Sequence, residues 1–121
     1  MAIRPSTFQV RNVVDKAAHD LQPNAVVIVP AFPTILYWRV GVVYERVRIR
    51  SGLNFVVEVF DERNTRVARS WAGEIVLEPD YSGTEIPLTD FTVAAPQVYT
   101  VRVSVNDVNL PEQRFTMKGN Q

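Results

Sequence analysis

The chain has 121 residues, 46% of them hydrophobic, and its 13 Lys and Arg residues balance its 13 Asp and Glu residues. This composition is typical of one folded domain with a core, and it excludes a disordered chain. The zero formal net charge argues against a dedicated nucleic-acid-binding protein and against polybasic attachment to a membrane. It also leaves little repulsion between copies, which favours self-association. Because there is no cysteine, disulfides and thiolate metal sites are excluded.

The apolar runs of the chain predict a soluble, cytoplasmic protein. Residues 1–6 are expected to form a flexible arm, with one Arg and without the apolar core of a signal peptide. No apolar run approaches the roughly 20 residues of a membrane span. The longest run, residues 25–32, has the length of a strand and contains Pro30. We therefore expect residues 1–121 to form a single domain.

The first part of the chain predicts two strands with a short helix between them. Apolar positions favour a strand over residues 7–14. Residues 15–22 include several helix-favouring side chains, and Asp15 could cap them, so we expect one or two helical turns. Residues 25–29 are apolar throughout and rich in β-branched side chains, which predicts a strand buried on both faces.

The middle of the chain predicts further strands. Residues 35–43 have two mostly apolar faces, which is typical of a central strand, and Trp38 is interpreted as a core residue. Residues 45–50 alternate between apolar and arginine side chains. Residues 53–60 and 65–72 are expected to form a hairpin around the loop 61–64, and residues 75–77 either continue or restart its second strand. In the strand over residues 53–60, the side chains predicted to share the inner face are Leu53, Phe55, Val57 and Val59.

The last part of the chain predicts weak strands and a final hairpin. Residues 84–93 are expected to hold weak strands interrupted by Pro87, a residue that suits a sheet edge. In residues 97–105 apolar and polar side chains alternate, and the turn pair Asn106-Asp107 leads to a second extended segment, 108–117. We therefore predict an all-β fold, an antiparallel sandwich of seven to nine strands. In the strand over residues 97–105, the side chains predicted to face the core are Tyr99, Val101, Val103 and Val105.

Two segments resemble strands of immunoglobulin-like sandwiches. Residues 50–61, followed by 65–68, are similar to a strand pair common in these domains. Residues 91–103 resemble their penultimate strand, where a proline and a small residue precede a tyrosine, here Tyr99. With the Pro30-Ala31-Phe32-Pro33 segment, residues 25–116 resemble a family of small bacterial immunoglobulin-like domains of unknown function. The resemblance implies a fold and no activity, so it transfers no functional residues.

The sequence does not predict an enzyme. His19 is the only histidine, and neither a G-x-S-x-G nucleophile motif nor a glycine-rich phosphate loop is present. No cofactor is therefore expected. The adjacent carboxylates Asp61 and Glu62 are interpreted as solvated turn residues rather than metal ligands, as is the pair Glu78 and Asp80.

Candidate binding residues are three arginines of one predicted strand, Arg46, Arg48 and Arg50. At period two their side chains would stand in a row about 7 Å apart. Such a row can bind phosphates or carboxylates, and Arg39 and Arg102 could add to it. One alternative is an outward sheet face on which the arginines pair with acidic residues such as Glu58. Another is a role of the row in an interface with another chain.

Trp71 and Tyr81 are candidate aromatic contact residues, because exposed aromatic rings can stack on sugars. The function that we expect is a non-enzymatic binding or assembly module that self-associates through sheet edges or faces. One alternative is a protein, bacterial or phage-encoded, that binds or sequesters a small anionic, nucleotide-like ligand through the arginine face or a pocket between protomers. A second alternative is a carbohydrate-binding module.

Overall fold

The computed structural model describes residues 5–44, 51–77 and 83–119, and within these ranges the protein is all-β, without a helix. The strands in chain order are β1 (Pro5–Val14), β2 (Ala17–Leu21), β3 (Val26–Val29), β4 (Thr34–Tyr44), β5 (Ser51–Phe60), β6 (Arg66–Leu77), β7 (Gly83–Val93), β8 (Val98–Val105), β9 (Val108–Asn109) and β10 (Gln113–Gly119).

The strands form two sheets. The first sheet has the order β2-β1-β4-β7, and all of its pairs are antiparallel. The second sheet has the order β3-β10-β8-β5-β6, with the two residues of β9 also paired to β8. In the second sheet β3 runs parallel to β10, whereas the other pairs are antiparallel. Among the described residues, β2, β7, β3 and β6 are therefore the edge strands.

Aromatic rings join the two sheets across one shared core. The ring of Trp38 on β4 meets Phe91 on β7 edge-on at 4.9 Å and Phe115 on β10 at 5.3 Å. Phe91 in turn meets Tyr99 on β8 at 5.5 Å. Edge-to-face contacts at these distances stabilise a core beyond the burial of area alone. The core position predicted for Trp38 is therefore confirmed.

The period-two pattern correctly predicts which side chains are buried in the second sheet. On β5 and β8 alternate residues point into the core, because successive side chains of a strand lie on opposite faces. The central position of β4, between β1 and β7, is confirmed, as is the edge position of the segment that contains Pro87. The predicted interruption at Pro87 is wrong, because β7 continues through it as one strand paired with β4. The buried residues of β5 and β8 are Leu53, Phe55, Val57, Val59, Tyr99, Val101, Val103 and Val105.

The predicted helix over residues 15–22 is wrong, because this segment forms the hairpin return strand β2. Asp15 and Lys16 have φ of 50° and 67°, so both adopt the left-handed conformation of a two-residue type I′ turn. β2 then pairs with β1, and the side chain of Gln9 donates to the carbonyl of Leu21 at 2.8 Å. Arg11 adds an ion pair to Asp20 at 2.9 Å. A helix this short has little stability of its own, so strand pairing prevails.

The prediction that the strand after Asn24 is buried on both faces is also wrong. Val27 and Val29 are buried, whereas Val26 is 52% exposed and Ile28 is 58% exposed. β3 lies at the edge of the second sheet, so only its inner face meets the core.

The segment predicted as one strand over residues 108–117 is divided into β9 and β10. Residues 110–112 separate them, where Leu110 is buried and Pro111 interrupts the ladder. This division, together with the strand in place of the helix, gives ten strands in the described ranges, against the expected seven to nine.

Candidate functional site

Most of the candidate binding residues lie outside the part of the chain that the structure describes. Arg46, Arg48, Arg50 and Tyr81 all fall in the undescribed ranges. Trp71 lies in β6 opposite Val56 of β5, and its side chain is not among the described ones. The arginine row and the aromatic contact residues therefore stay predictions.

Arg39 and Arg102, which could have extended the arginine row, lie on different sheets. Arg39 is on β4 of the first sheet, where its guanidinium and that of Arg11 each lie 3.3 Å from the carboxylate of Glu85. Arg102 is on β8 of the second sheet. The two side chains do not form one cationic face.

Arg102 is held from three sides on the outer face of the second sheet. Its Nε lies 2.6 Å from a carboxylate oxygen of Glu112, and its Nη2 donates to the side-chain oxygen of Asn64 at 3.1 Å. The guanidinium carbon lies 4.3 Å from the centre of the Phe60 ring, a cation–π contact. These contacts occupy the guanidinium, so Arg102 is a poor candidate for binding an added anion.

A second arginine on this sheet, Arg66, also has a carboxylate partner. Arg66 of β6 lies 3.3 Å from the carboxylate of Glu58 on β5. Both partners are substantially exposed, so the pair contributes little to stability. For Arg39, Arg66 and Arg102, the interpretation as an outward face with acidic partners describes the structure better than an anion-binding surface does.

Two open depressions flank Arg102, with volumes of about 270 and 400 Å³. Arg102 and Glu112 line both of them. Carboxylates outnumber guanidinium groups along the walls, which disfavours a simple anion site. The carboxylates are those of Glu58, Asp61, Glu62 and Glu112, and the guanidinium groups are those of Arg102 and Arg114.

The carboxylates of the loop between β5 and β6 have structural partners. One oxygen of Asp61 accepts hydrogen bonds from the backbone N–H groups of Arg63 and Thr65, both at 2.9 Å. Glu62 accepts one from the backbone of Val98 at 2.8 Å. These bonds tie the loop together and to β8. No three His, Asp or Glu side chains in the described ranges lie close enough together to bind a metal ion.

The β3 edge, residues Val26–Val29, is the least protected of the four sheet edges. Charged residues, prolines and covering strands normally keep sheet edges from pairing with other chains. Within its four residues β3 has neither a charge nor a proline. The other three edges each have such a feature: β2 carries His19 and Asp20, β7 contains Pro87, and β6 carries Arg66 and Arg69 and lies against β7.

The backbone of the β3 edge has free hydrogen-bonding groups. The carbonyl of Ala25 accepts the N–H of Thr116 on β10 at 3.0 Å. Because peptide groups alternate in direction along a strand, the N–H and C=O of Val27 also face β10. Those of Val26 and Ile28 face away from it, and in the described ranges β3 pairs only with β10. The edge can therefore accept another strand.

A second exposed apolar set lies on the outer face of the first sheet. Ile35 and Tyr37 of β4 are both more than half exposed. Farther along the same strand, Arg39 and its ion-paired neighbours make the face charged. This set is a smaller candidate for a sheet-face contact, and it has no free backbone groups because β4 is paired on both sides.

Comparisons with known proteins identify no relative. No protein-family model matches the chain, and no curated protein sequence matches it. In the described ranges, no helix is long and apolar enough to cross a membrane.

Proposed function

We propose that this protein is a non-enzymatic binding and assembly module with an immunoglobulin-like fold, and that it self-associates through the β3 edge. The observation that carries the proposal is an uncharged edge strand with exposed β-branched side chains and free backbone groups. Edges of this kind are the ordinary route of strand addition between chains.

The order of the strands supports the immunoglobulin-like assignment. β1, β4 and β7 would take the places of strands A, B and E, and β5, β8 and β10 those of strands C, F and G. The hydroxyl of Tyr99, at the start of β8, lies 3.5 Å from the carbonyl oxygen of Ala95. A tyrosine that bonds back to the preceding loop in this way is typical of the penultimate strand of such domains.

Charge and burial both favour association of two copies. The chain has no net charge to oppose it. A Val or Ile side chain contributes about 1.5–3 kcal/mol when it is fully buried, and edge pairing covers only part of Val26 and Ile28, so each contributes a fraction of that. Each backbone hydrogen bond adds about 0.5–1.5 kcal/mol. A four-residue edge offers few such contacts, so we expect a reversible dimer that depends on concentration.

Light scattering after size exclusion, over a range of protein concentrations, tests the proposal. The wild-type protein is expected to shift from monomer to dimer as concentration rises, and Ile28→Lys to stay monomeric. Val108→Lys is the matched control, because Ile28 and Val108 are both 58% exposed and Val108 lies on β9 instead. A wild-type protein that is monomeric at every concentration would overturn the proposed function.

A further inference from the structure

We infer that the partner at the β3 edge is a second copy of β3, paired antiparallel so that Val26 of one protomer lies opposite Ile28 of the other. In this register the twofold axis passes beside Val27. The inference rests on the proposed function and deepens it, because it specifies the partner strand and its alignment.

Twofold symmetry limits the possible registers. In a symmetric antiparallel pair, if residue i lies opposite residue j, then j also lies opposite i. Only Val26 and Ile28 direct both of their backbone groups outward from this edge. Three registers therefore bring outward-directed residues together: Val26 opposite Ile28, Val26 opposite Val26, and Ile28 opposite Ile28.

The residues that flank β3 exclude two of these registers. With Ile28 opposite Ile28, Val26 would lie opposite Pro30, which has no N–H, so the carbonyl of Val26 would lose its donor. With Val26 opposite Val26, Ile28 would lie opposite Asn24. The φ of Asn24 is 66°, and its N–H already donates to the carbonyl of Arg114 at 3.0 Å. Asn24 therefore cannot serve as an extended ladder residue.

The remaining register satisfies every outward-directed group of both strands. Val26 and Ile28 of each protomer form hydrogen-bonded pairs, and each such pair exchanges two bonds. All of the residues that take part are extended members of β3. This register therefore leaves no buried donor or acceptor unpaired in the joined edge.

The side chains also fit this register. Val26 and Ile28 of opposite protomers would stand directly across from each other on the outer face, where β-branched pairs stabilise a sheet. On β10, Lys118 lies beside Ile28 and Thr116 beside Val26. The lysines of the two protomers would be three strand spacings apart, about 14 Å. That distance exceeds the screening length of about 8 Å at physiological salt, so their repulsion is small.

Disulfide cross-linking in the dimer tests this register directly. The chain has no native cysteine, so single-cysteine variants report one contact each. Directly opposed residues of a hydrogen-bonded pair have Cα atoms about 5.5 Å apart, within the range of about 4.4–6.8 Å that disulfides span. Diagonal neighbours lie about 7–8 Å apart and fall outside it.

A mixture of Val26→Cys and Ile28→Cys protein is therefore expected to form several-fold more cross-linked dimer under mild oxidation than either variant alone. Val108→Cys mixed with Ile28→Cys is the control and should not cross-link. More cross-linking in either single variant than in the mixture would overturn the register. The absence of any cross-link in a protein that light scattering shows to be dimeric would overturn the register. The proposed association through the β3 edge would then stand only if Ile28→Lys still abolishes the dimer. A protein that is monomeric at every concentration would overturn both.

Discussion

Trp38 and Phe115 connect the two sheets of this protein, with ring centres 5.3 Å apart and planes inclined by 73°. Trp38 lies on the central strand of the first sheet and Phe115 on β10, which also carries the β3 edge. The same contact that closes the core therefore positions the strand against which β3 pairs.

Removal of the Phe115 ring should lower the stability of the whole domain. Phe115→Ala removes a fully buried ring and leaves a cavity beside Trp38, so the free energy of unfolding should fall by about 3–5 kcal/mol. Urea denaturation of the variant measures this loss. Thr92→Ala, at an exposed position of β7, is the control and should change stability by less than about 0.5 kcal/mol. A Phe115→Ala protein as stable as the control would contradict the core described above.

Replacement of Lys16 by glycine distinguishes a hairpin from a helix by the sign of its effect. In the hairpin Lys16 has a φ of 67°, a conformation that costs a residue with a side chain about 1–2 kcal/mol and that glycine adopts freely. Lys16→Gly is therefore expected to raise the free energy of unfolding. In a helix the same change would lower it by about 1 kcal/mol. Thermal or urea denaturation decides between the two, and Lys16→Ala controls for loss of the side chain.

Amide hydrogen exchange should report dimerisation residue by residue. The amides of Val27 and Val29 face β10 and should exchange slowly at every protein concentration. Those of Val26 and Ile28 face outward, so they should exchange rapidly in dilute protein and become protected as the dimer forms. Exchange measured by NMR at low and high concentration gives this comparison. Protection of Val26 and Ile28 that does not change with concentration would contradict strand addition at this edge.

The anion-binding alternative makes a separate prediction. Two of the described arginines of the second sheet, Arg66 and Arg102, already have carboxylate partners. A third, Arg114, lines a depression in which carboxylates outnumber guanidinium groups. We therefore expect nucleotides and inorganic phosphate to leave Tm unchanged in a thermal shift assay. A rise in Tm that Arg48→Ala abolishes would instead favour the alternative function, with the predicted arginine row as its site.

Period-two patterns in the sequence predicted much of the fold. The alternation in β5 and β8 correctly assigned their buried faces, because a strand that covers a core must present every second residue to it. Pro87 correctly marked an edge, since proline has no N–H to donate to a ladder and so fits best where its nitrogen faces no partner strand. These signals are local, so they can be read without knowing which strands pair.

Features that depend on distant pairing were not predictable in the same way. The helix-favouring residues after Asp15 were outweighed by hydrogen bonding to β1, and neither Asp15 nor Lys16 is the glycine that usually marks such a turn. The apolar run at β3 gave no sign that it lies at an edge, because burial of its outer face depends on whether a further strand covers it. The one available signal was its length, limited to a few residues by Pro23 and Pro30.

The parallel pairing of β3 with β10 has a consequence for synthesis of the chain. β3 is translated before β10, the only described strand that pairs with it, and six described strands lie between the two in the chain. Until β10 has left the ribosome, both edges of an uncharged Val-Val-Ile-Val segment are open to neighbouring nascent chains. Pro23 and Pro30 keep that segment too short to nucleate a long cross-β stack, and so they limit aggregation of the chain in the interval before β10 is made.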